Sequence, residues 1–441
     1  MSLKLNNFTQ QRAAQRPLRP ILARLHTAAG ILITPLILVA ALTGFFYALA
    51  PTLEQWVYHD EIYANVSDGP RESVEKQVRA AQAAAGDKEL AAVQLFDDPM
   101  RNTRVLFADD TLDEGVQYAV FVDPHNAQVE GELEQYGSSG SLPLRRWLAY
   151  GHKNLWLGTP GRIYSEVAAS WLGFFAVSGV VLWWQLQRKG SGRLARMFSW
   201  RSNARASGRL KLLRSHGVWG SVLAAGMIFL CVTGLTWSLV AGENIAKVRT
   251  HFGWATPKTV ASLEAEASST DPLSHIDEVA QGAFDSLRAP LKIAVPQDST
   301  KGWVASEVRQ PYRLSNDAVV LNDAGEVVRW NRFSDWPFAA KATAWLIQLH
   351  MGTLFGLPNQ IVLALLAVGI LFLLLRGIQM WAARGFAPAP APQQWNVLRS
   401  PAGIGFVLGL AVYSVLAPLF GASLLVVVAL DFLWSRRRSR H

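Results

Sequence analysis

The sequence predicts a helical membrane protein with a duplicated four-helix core, a C-terminal two-helix hairpin and two small α+β domains outside the bilayer. Three observations predict it. No Asp, Glu, Lys or Arg occurs in residues 25–53, 167–187, 215–242, 342–375 or 400–430, and each window reaches the roughly 20 apolar residues that a bilayer-spanning helix needs. Motifs recur at fixed spacing in the two halves of the chain. Between the apolar windows lie short alternating runs of strand type, bounded by Gly, Asp and Asn.

Taken in order, residues 1–50 are a basic tail and helix one, and 51–150 a first outside domain. Residues 151–213 hold helix two and a basic loop, and 214–241 helix three. Residues 242–340 form a second outside domain, 341–384 a histidine segment and helix four, 385–400 a Pro-Ala linker, and 401–441 the hairpin and a basic tail. The first outside domain offers a helical stretch, "RESVEKQVRAAQAAAG", then strands in "AAVQLF", "TRVLFA" and "QYAVFV" and the turn "VDPHNAQVEG". The second offers "SHIDEVAQGAFDSL", then "PLKIAV", "GWVASEV" and "DAVVLNDAGEVVRW". Each reads as a small antiparallel sheet with one covering helix. In the hairpin, two short apolar segments flank Pro418, which favours a break over one continuous helix.

Charge sets the orientation. The segment between helices two and three carries Arg188, Lys189, Arg193, Arg196, Arg201, Arg205, Arg209, Lys211 and Arg214 without an acid, and both termini are basic. By the positive-inside rule these lie in the cytoplasm, with the outside domains across the membrane. The net charge of +9 therefore reports topology, and no nucleic-acid partner is expected. Helix one, followed by "ALA" at Ala48–Ala50, imitates a signal peptide. Its apolar run exceeds a signal h-region, so a retained helix is expected. A single cysteine, Cys231, excludes C-x-x-C-H haem attachment, cysteine-ligated clusters and structural disulfides within one chain; it reads as a small packing residue.

The repeats centre on histidines. "RLHTAAG" at residues 24–30 and "RSHGVWG" at 214–220 each open an apolar run that reaches a Thr-Gly pair 17 residues after the histidine. "GHKNLWLGTPGRI" at 151–163 and "LHMGTLFGLPNQI" at 349–361 share Gly, Pro and Ile at 6, 8 and 11 residues after the histidine. The offset of 198 between these two also relates Gly179 to Gly377 and Trp183 to Trp381. His26 and His216 thus begin helices at one membrane face, while His152 and His350 precede helices at the other.

Two matched histidines per face suit one metal centre per face. A zinc or non-haem iron site would add carboxylate or cysteine ligands, and the motifs supply none. Two histidines alone complete a six-coordinate b-type haem, whose porphyrin provides the other four positions. Gly30 and Gly220, one turn after His26 and His216, leave room for a flat macrocycle; Gly44 and Gly234 do the same or permit close helix packing. The competing reading makes each histidine an interfacial anchor. Arg145, Arg146 and Lys153 are candidates for haem propionates or an anionic substrate, or are ordinary interfacial cations. Trp147, Trp156, Trp336 and Trp345 fit an aromatic belt. No nucleotide-binding loop appears, so electrons would come from a cytoplasmic reductase or a quinol.

"RLHTAAG", "GHKNLWLG", "RSHGVWG" and "QLHMGTLFGLP" resemble the PepSY-associated transmembrane family of bacterial inner membranes over about residues 20–385. "FVDPHNAQVEG" and "VLNDAGEVV" are similar to the D-P-x-T-G-x-V turn of its PepSY-type periplasmic domains. The first has Asn-Ala in place of Thr-Gly, the second lacks Asp-Pro, and the terminal hairpin lies outside the resemblance. The resemblance implies two b haems held by His26, His152, His216 and His350, and a ferric siderophore or other ferric chelate as electron acceptor. The expected function is an inner-membrane ferric-chelate reductase with cytoplasmic termini. The alternatives are a haem-free PepSY-type interaction protein and, disfavoured by helix interiors without carboxylates, a transporter.

Overall fold

A computed structural model describes residues 18–64, 69–187, 190–200, 208–262, 272–298, 300–387 and 395–438. Arg12, Arg16, Arg188, Lys189, Arg201, Arg205, Arg440, His441 and the centre of the Pro-Ala linker lie outside them. The chain forms two units, one of residues 1–45, 150–249 and 362–441, the other of residues 46–149 and 250–361.

The first unit is helical. Helix α1 (Arg19–Val57) is the first described element. In the second unit, α2 (His59–Ile62) and α3 (Val74–Ala85) follow, with Ser73 capping α3 by accepting from the Lys76 amide. Helix α4 (Pro143–Asn154) leads to α5 (Thr159–Leu186), which carries Pro160 in its first turn. A short α6 (Arg193–Met197) precedes α7 (Gly208–Leu235) and α8 (Ala241–His251). Among the described residues five helices are long and apolar enough to cross a membrane: α1, α5, α7, α11 (Leu357–Ala382) and α13 (Pro418–Arg438). Their shared core is formed by Ile33, Ile37 and Ala41 of α1, Trp171 and Phe174 of α5, Met227 and Cys231 of α7, and Ile370 and Leu373 of α11.

The second unit carries the sheet. Strands β1 (Glu89–Leu95), β2 (Thr103–Ala108), β3 (Val116–Val122) and β4 (Val129–Tyr136) form one antiparallel meander. After helix α9 (Ile276–Ser286), strands β5 (Leu291–Ala294), β6 (Trp303–Glu307), β7 (Ala318–Leu321) and β8 (Val327–Asn331) form another. Two separate sheets were expected; the structure instead has one eight-stranded sheet, ordered β4-β3-β2-β1-β5-β6-β7-β8. The join is the antiparallel pairing of β1 with β5, from Ala92 opposite Ala294 to Leu95 opposite Leu291. It consists of backbone hydrogen bonds between two strand edges, each of which would otherwise expose unpaired amides. Because these strands are neighbours, residues 89–95 and 291–294 lie on the same side of any membrane crossed by the helices between them. Helices α3 and α9 cover one face, burying Val78, Ala81, Ile276 and Val279 against Val93, Val105, Ile293 and Val319. Ile62 and Leu142 cover Ala92, Leu106 and Phe121 on the other face, which explains why β1–β3 read as near-continuous apolar runs.

The two expected turns share a left-handed residue at the matching position but differ by one residue in length, Val122 pairing with Val129 around the first and Leu321 with Val327 around the second. Gly325, between β7 and β8, has φ +73°, and Ala127, 198 positions earlier between β3 and β4, has φ +58°. The left-handed backbone that glycine normally supplies is thus adopted by alanine in the first half, at about 1 kcal/mol.

Helix α10 (Phe338–His350) and α11 (Leu357–Ala382) complete the core. The hairpin is α12 (Pro401–Leu416), 16 residues and short for a span, and α13 (Pro418–Arg438). Ala417 leaves the helical region at φ −124°, ψ 81°, as a residue before proline is driven to do. The hairpin is bound into the helical unit by polar contacts. Arg24 Nε donates to Asp431 at 2.6 Å and Arg24 Nη2 to Ser435 at 2.7 Å. Trp171 donates to Ser423 at 2.9 Å, and Tyr413 donates to the Ser170 carbonyl at 2.7 Å. Cys231 is buried, with its sulfur 3.5 Å from the Tyr413 hydroxyl.

Candidate functional site

The helical unit brings His26 of α1 and His216 of α7 together. Their ring centroids are 6.5 Å apart and the rings are nearly perpendicular, at 86°. His26 Nδ1 lies 2.8 Å from Ser178 Oγ on α5. That hydroxyl gives its own hydrogen to the Phe174 carbonyl at 2.6 Å, so it accepts from Nδ1–H. His216 Nδ1 lies 3.2 Å from the Leu373 carbonyl of α11, which can only accept. These partners assign the Nδ1–H tautomer to both neutral rings and leave each Nε2 with its lone pair, the arrangement of a metal-ligating imidazole.

The spacing can be tested against a metal. With nitrogen–metal bonds of about 2.0–2.1 Å and a nitrogen about 1.1 Å from its ring centre, two opposed imidazoles place their centroids about 6.3 Å apart. The observed separation of ring centres, 6.5 Å, is close to that span. Space around the pair also suits a macrocycle. A Cβ built on Gly30 or Gly220, one turn beyond each histidine, would meet no atom within 4 Å. Gly179 and Gly377 stand beside the rings instead, their Cβ positions 3.4 Å from His26 Cε1 and 3.9 Å from His216 Cε1. Phe175 packs edge-on against His26 at 5.3 Å. Among the described residues no three His, Cys, Asp or Glu side chains cluster as a metal site.

His152, near the end of α4, repeats this pattern within the same unit. Its Nδ1 is 3.1 Å from Thr43 Oγ1, and that hydroxyl donates to the Val39 carbonyl at 2.9 Å. Gly44 adjoins the ring: a Cβ there would stand 3.0 Å from His152 Cε1. Of the two roles considered for Gly44, close packing is the one the structure supports, and the packed object is the histidine. A Gly44→Val exchange is therefore expected to displace the ring and cost about 1–3 kcal/mol, whereas Gly30→Val is expected to cost less. Thermal unfolding of the two variants in detergent checks this; equal midpoints would refute it.

His350 is the last residue of α10 and belongs to the other unit. The turn after it is fixed by Gly352 at φ +74° and by Asn359, whose amide donates to the Leu349 carbonyl at 3.0 Å. Of the three cations considered for an anion, Arg146 pairs with Asp113 at 2.6 Å and with Glu134, so its charge is met within the sheet unit. Lys153 is exposed, 5.4 Å from the Tyr150 ring centroid. Arg145 is buried, with Nη1 3.8 Å from Glu54. Trp336 and Trp345 pack on Phe333 in the sheet unit.

Sequence reasoning missed three side chains. Ser178 has no counterpart by the 198 offset, where Arg376 stands. Glu166, just before an apolar window, is buried within α5 and accepts the Val240 and Ala241 amides at 2.8 and 3.0 Å. It thereby satisfies two orphan donors at the start of α8. Asp431, one residue past another window, holds Arg24. The expectation of helices without carboxylates is corrected accordingly.

A comparison with curated proteins gives no match. The PepSY-associated TM region matches residues 23–384, which take in all four histidines and every strand of the sheet, and the chain belongs to that family.

Proposed function

We propose that this protein is a di-haem b oxidoreductase that carries electrons across the bacterial inner membrane and reduces a ferric chelate, such as a ferric siderophore, on the periplasmic side. The observation that carries this reading is the His26–His216 pair, 6.5 Å apart with each Nδ1 engaged by an acceptor. His26 and His216 would hold a b haem there, and the group would supply a one-electron iron couple for electron transfer.

The chain's own residues do the rest. Ser178 and the Leu373 carbonyl hold the imidazole protons on Nδ1, and Gly30 and Gly220 keep bulk away from the ligands. On α1, Thr43 lies 17 residues beyond His26, a rise of about 26 Å, and it holds His152, which the repeated sequence motifs match to His350. The mirror-like strand order about the β1–β5 join and the matched turn positions support an internal duplication behind this pairing. The basic loops favour cytoplasmic termini. A cytoplasmic reductase or a quinol donates, and Fe(III) in the chelate gains one electron to become Fe(II), which oxygen-rich chelators hold far more weakly. Glu166 does not revive a transport reading, because both its oxygens are occupied by backbone amides.

Protein purified from haem-replete cells is expected to show a Soret band and a sharp reduced α-band, with about two haems per chain. A colourless preparation sinks the proposal and leaves a PepSY-type interaction protein.

A further inference from the structure

Within the sheet unit, the guanidinium of Arg145 is buried at 5 % exposure with two nitrogens, Nε and Nη2, that have no hydrogen-bond partner. Arg101 Nε and Gln135 Nε2 are likewise buried without one. Buried donors are ordinarily satisfied; Tyr47 shares a side-chain hydrogen bond with Arg145 and Tyr63 with Arg101, yet these four donor atoms remain unmet. Arg104, 7 % exposed, reaches Gln135 Oε1 at 3.2 Å and stacks over Phe121 at 5.1 Å. Arg101 stacks over Phe96 at 4.6 Å. Glu54 is a carboxylate that bears on all three arginines, and its own acceptors are shared with the Leu142 amide at 2.6 Å. Asp98 bears on Arg101 alone among them. Burial and the adjacent Arg101 charge hold the Arg104 guanidinium down at about 10, the response of a cation short of counter-charge.

The geometry of the unmet atoms specifies the ligand. Nε and Nη2 form one edge of the guanidinium, the fork that accepts two coplanar oxygens side by side; Nη1 is turned to Glu54. We propose that Arg145, with Arg101 and Arg104 beside it, is a buried oxyanion site whose ligand is a carboxylate. Two sources share that chemistry, a porphyrin propionate and a carboxylate of a soluble ferric chelate. The first rests on the haem reading above, the second does not.

Full-length protein in detergent, as wild type and Arg145→Met, distinguishes them, with citrate, ferric citrate, haem and haem dimethyl ester as probes. If the ligand is a propionate, esterification weakens one haem of the wild type roughly 10- to 100-fold, as expected for lost charge-assisted hydrogen bonds. Arg145→Met then weakens native haem equally and is indifferent to the ester. If the ligand is a free carboxylate, citrate or ferric citrate raises the unfolding temperature of the wild type and not of Arg145→Met, while haem and its ester bind alike. Should Arg145→Met fail to fold, Arg145→Lys keeps the charge, loses the fork and is expected to lose binding in the same arm. Unchanged binding of all four probes in a folded Arg145 variant overturns the proposal. A chain that takes up no haem refutes the reductase reading, and the citrate arm still decides this site.

Discussion

His216→Ala is expected to remove one haem and leave the other, lowering the content from about two per chain to about one. His26→Ala is expected to remove the same haem, because its ring shares the site 6.5 Å away. His152→Ala is expected to remove the other one. Pyridine haemochromogen assays with reduced spectra of each variant check all three. Loss of the same haem from His26→Ala and His152→Ala would break the assignment of pairs. Ser178→Ala provides a finer control: it deletes the acceptor for His26 Nδ1–H without deleting a ligand. It is expected to retain both haems and shift the potential of the His26 haem alone, since such outer hydrogen bonds tune a ligand's basicity.

Arg24→Met is expected to destabilise the helical unit by about 3–5 kcal/mol, the usual consequence of stranding one member of a buried ion pair. The side chains of Arg24 and Asp431 are only 10 % and 12 % exposed, so removing the cation leaves a buried carboxylate. Arg24→Met combined with Asp431→Leu is expected to recover most of the loss, because no charge is then left unpaired. Thermal unfolding in detergent measures both, and a single variant as stable as the wild type would refute the account. Arg24 stands two residues before His26, so the single variant is also expected to retain its haem less firmly.

The helices were legible because a membrane span is defined by composition: charge is absent where lipid is, and α1, α5, α7 and α11 follow the charge-free windows. The histidine pair was legible because repetition separated it from chance. Ser178 was not, since its partner in the other half is a peptide carbonyl, which leaves no trace in sequence. Glu166 and Asp431 escaped because each lies one residue outside a charge-free window, where a membrane-surface position and a buried one look alike. The join of the two sheets escaped for a different reason. Edge-to-edge pairing of β1 with β5 is made by backbone groups that every residue carries, so the side chains of "AAVQLF" and "PLKIAV" announce strands without naming neighbours.

That join also dictates an order of assembly. Leu95 and Leu291 pair across 196 positions, and α5 and α7 both lie between them. The centre of the sheet can therefore close only after an outward and a returning helix have been synthesised and inserted. Until then β1 is an open edge of a half-sheet, offering "AAVQL" to any passing strand. Chains arrested between α5 and β5 are the form of this protein most exposed to aggregation, and quality control on the sheet side of the membrane would meet them first.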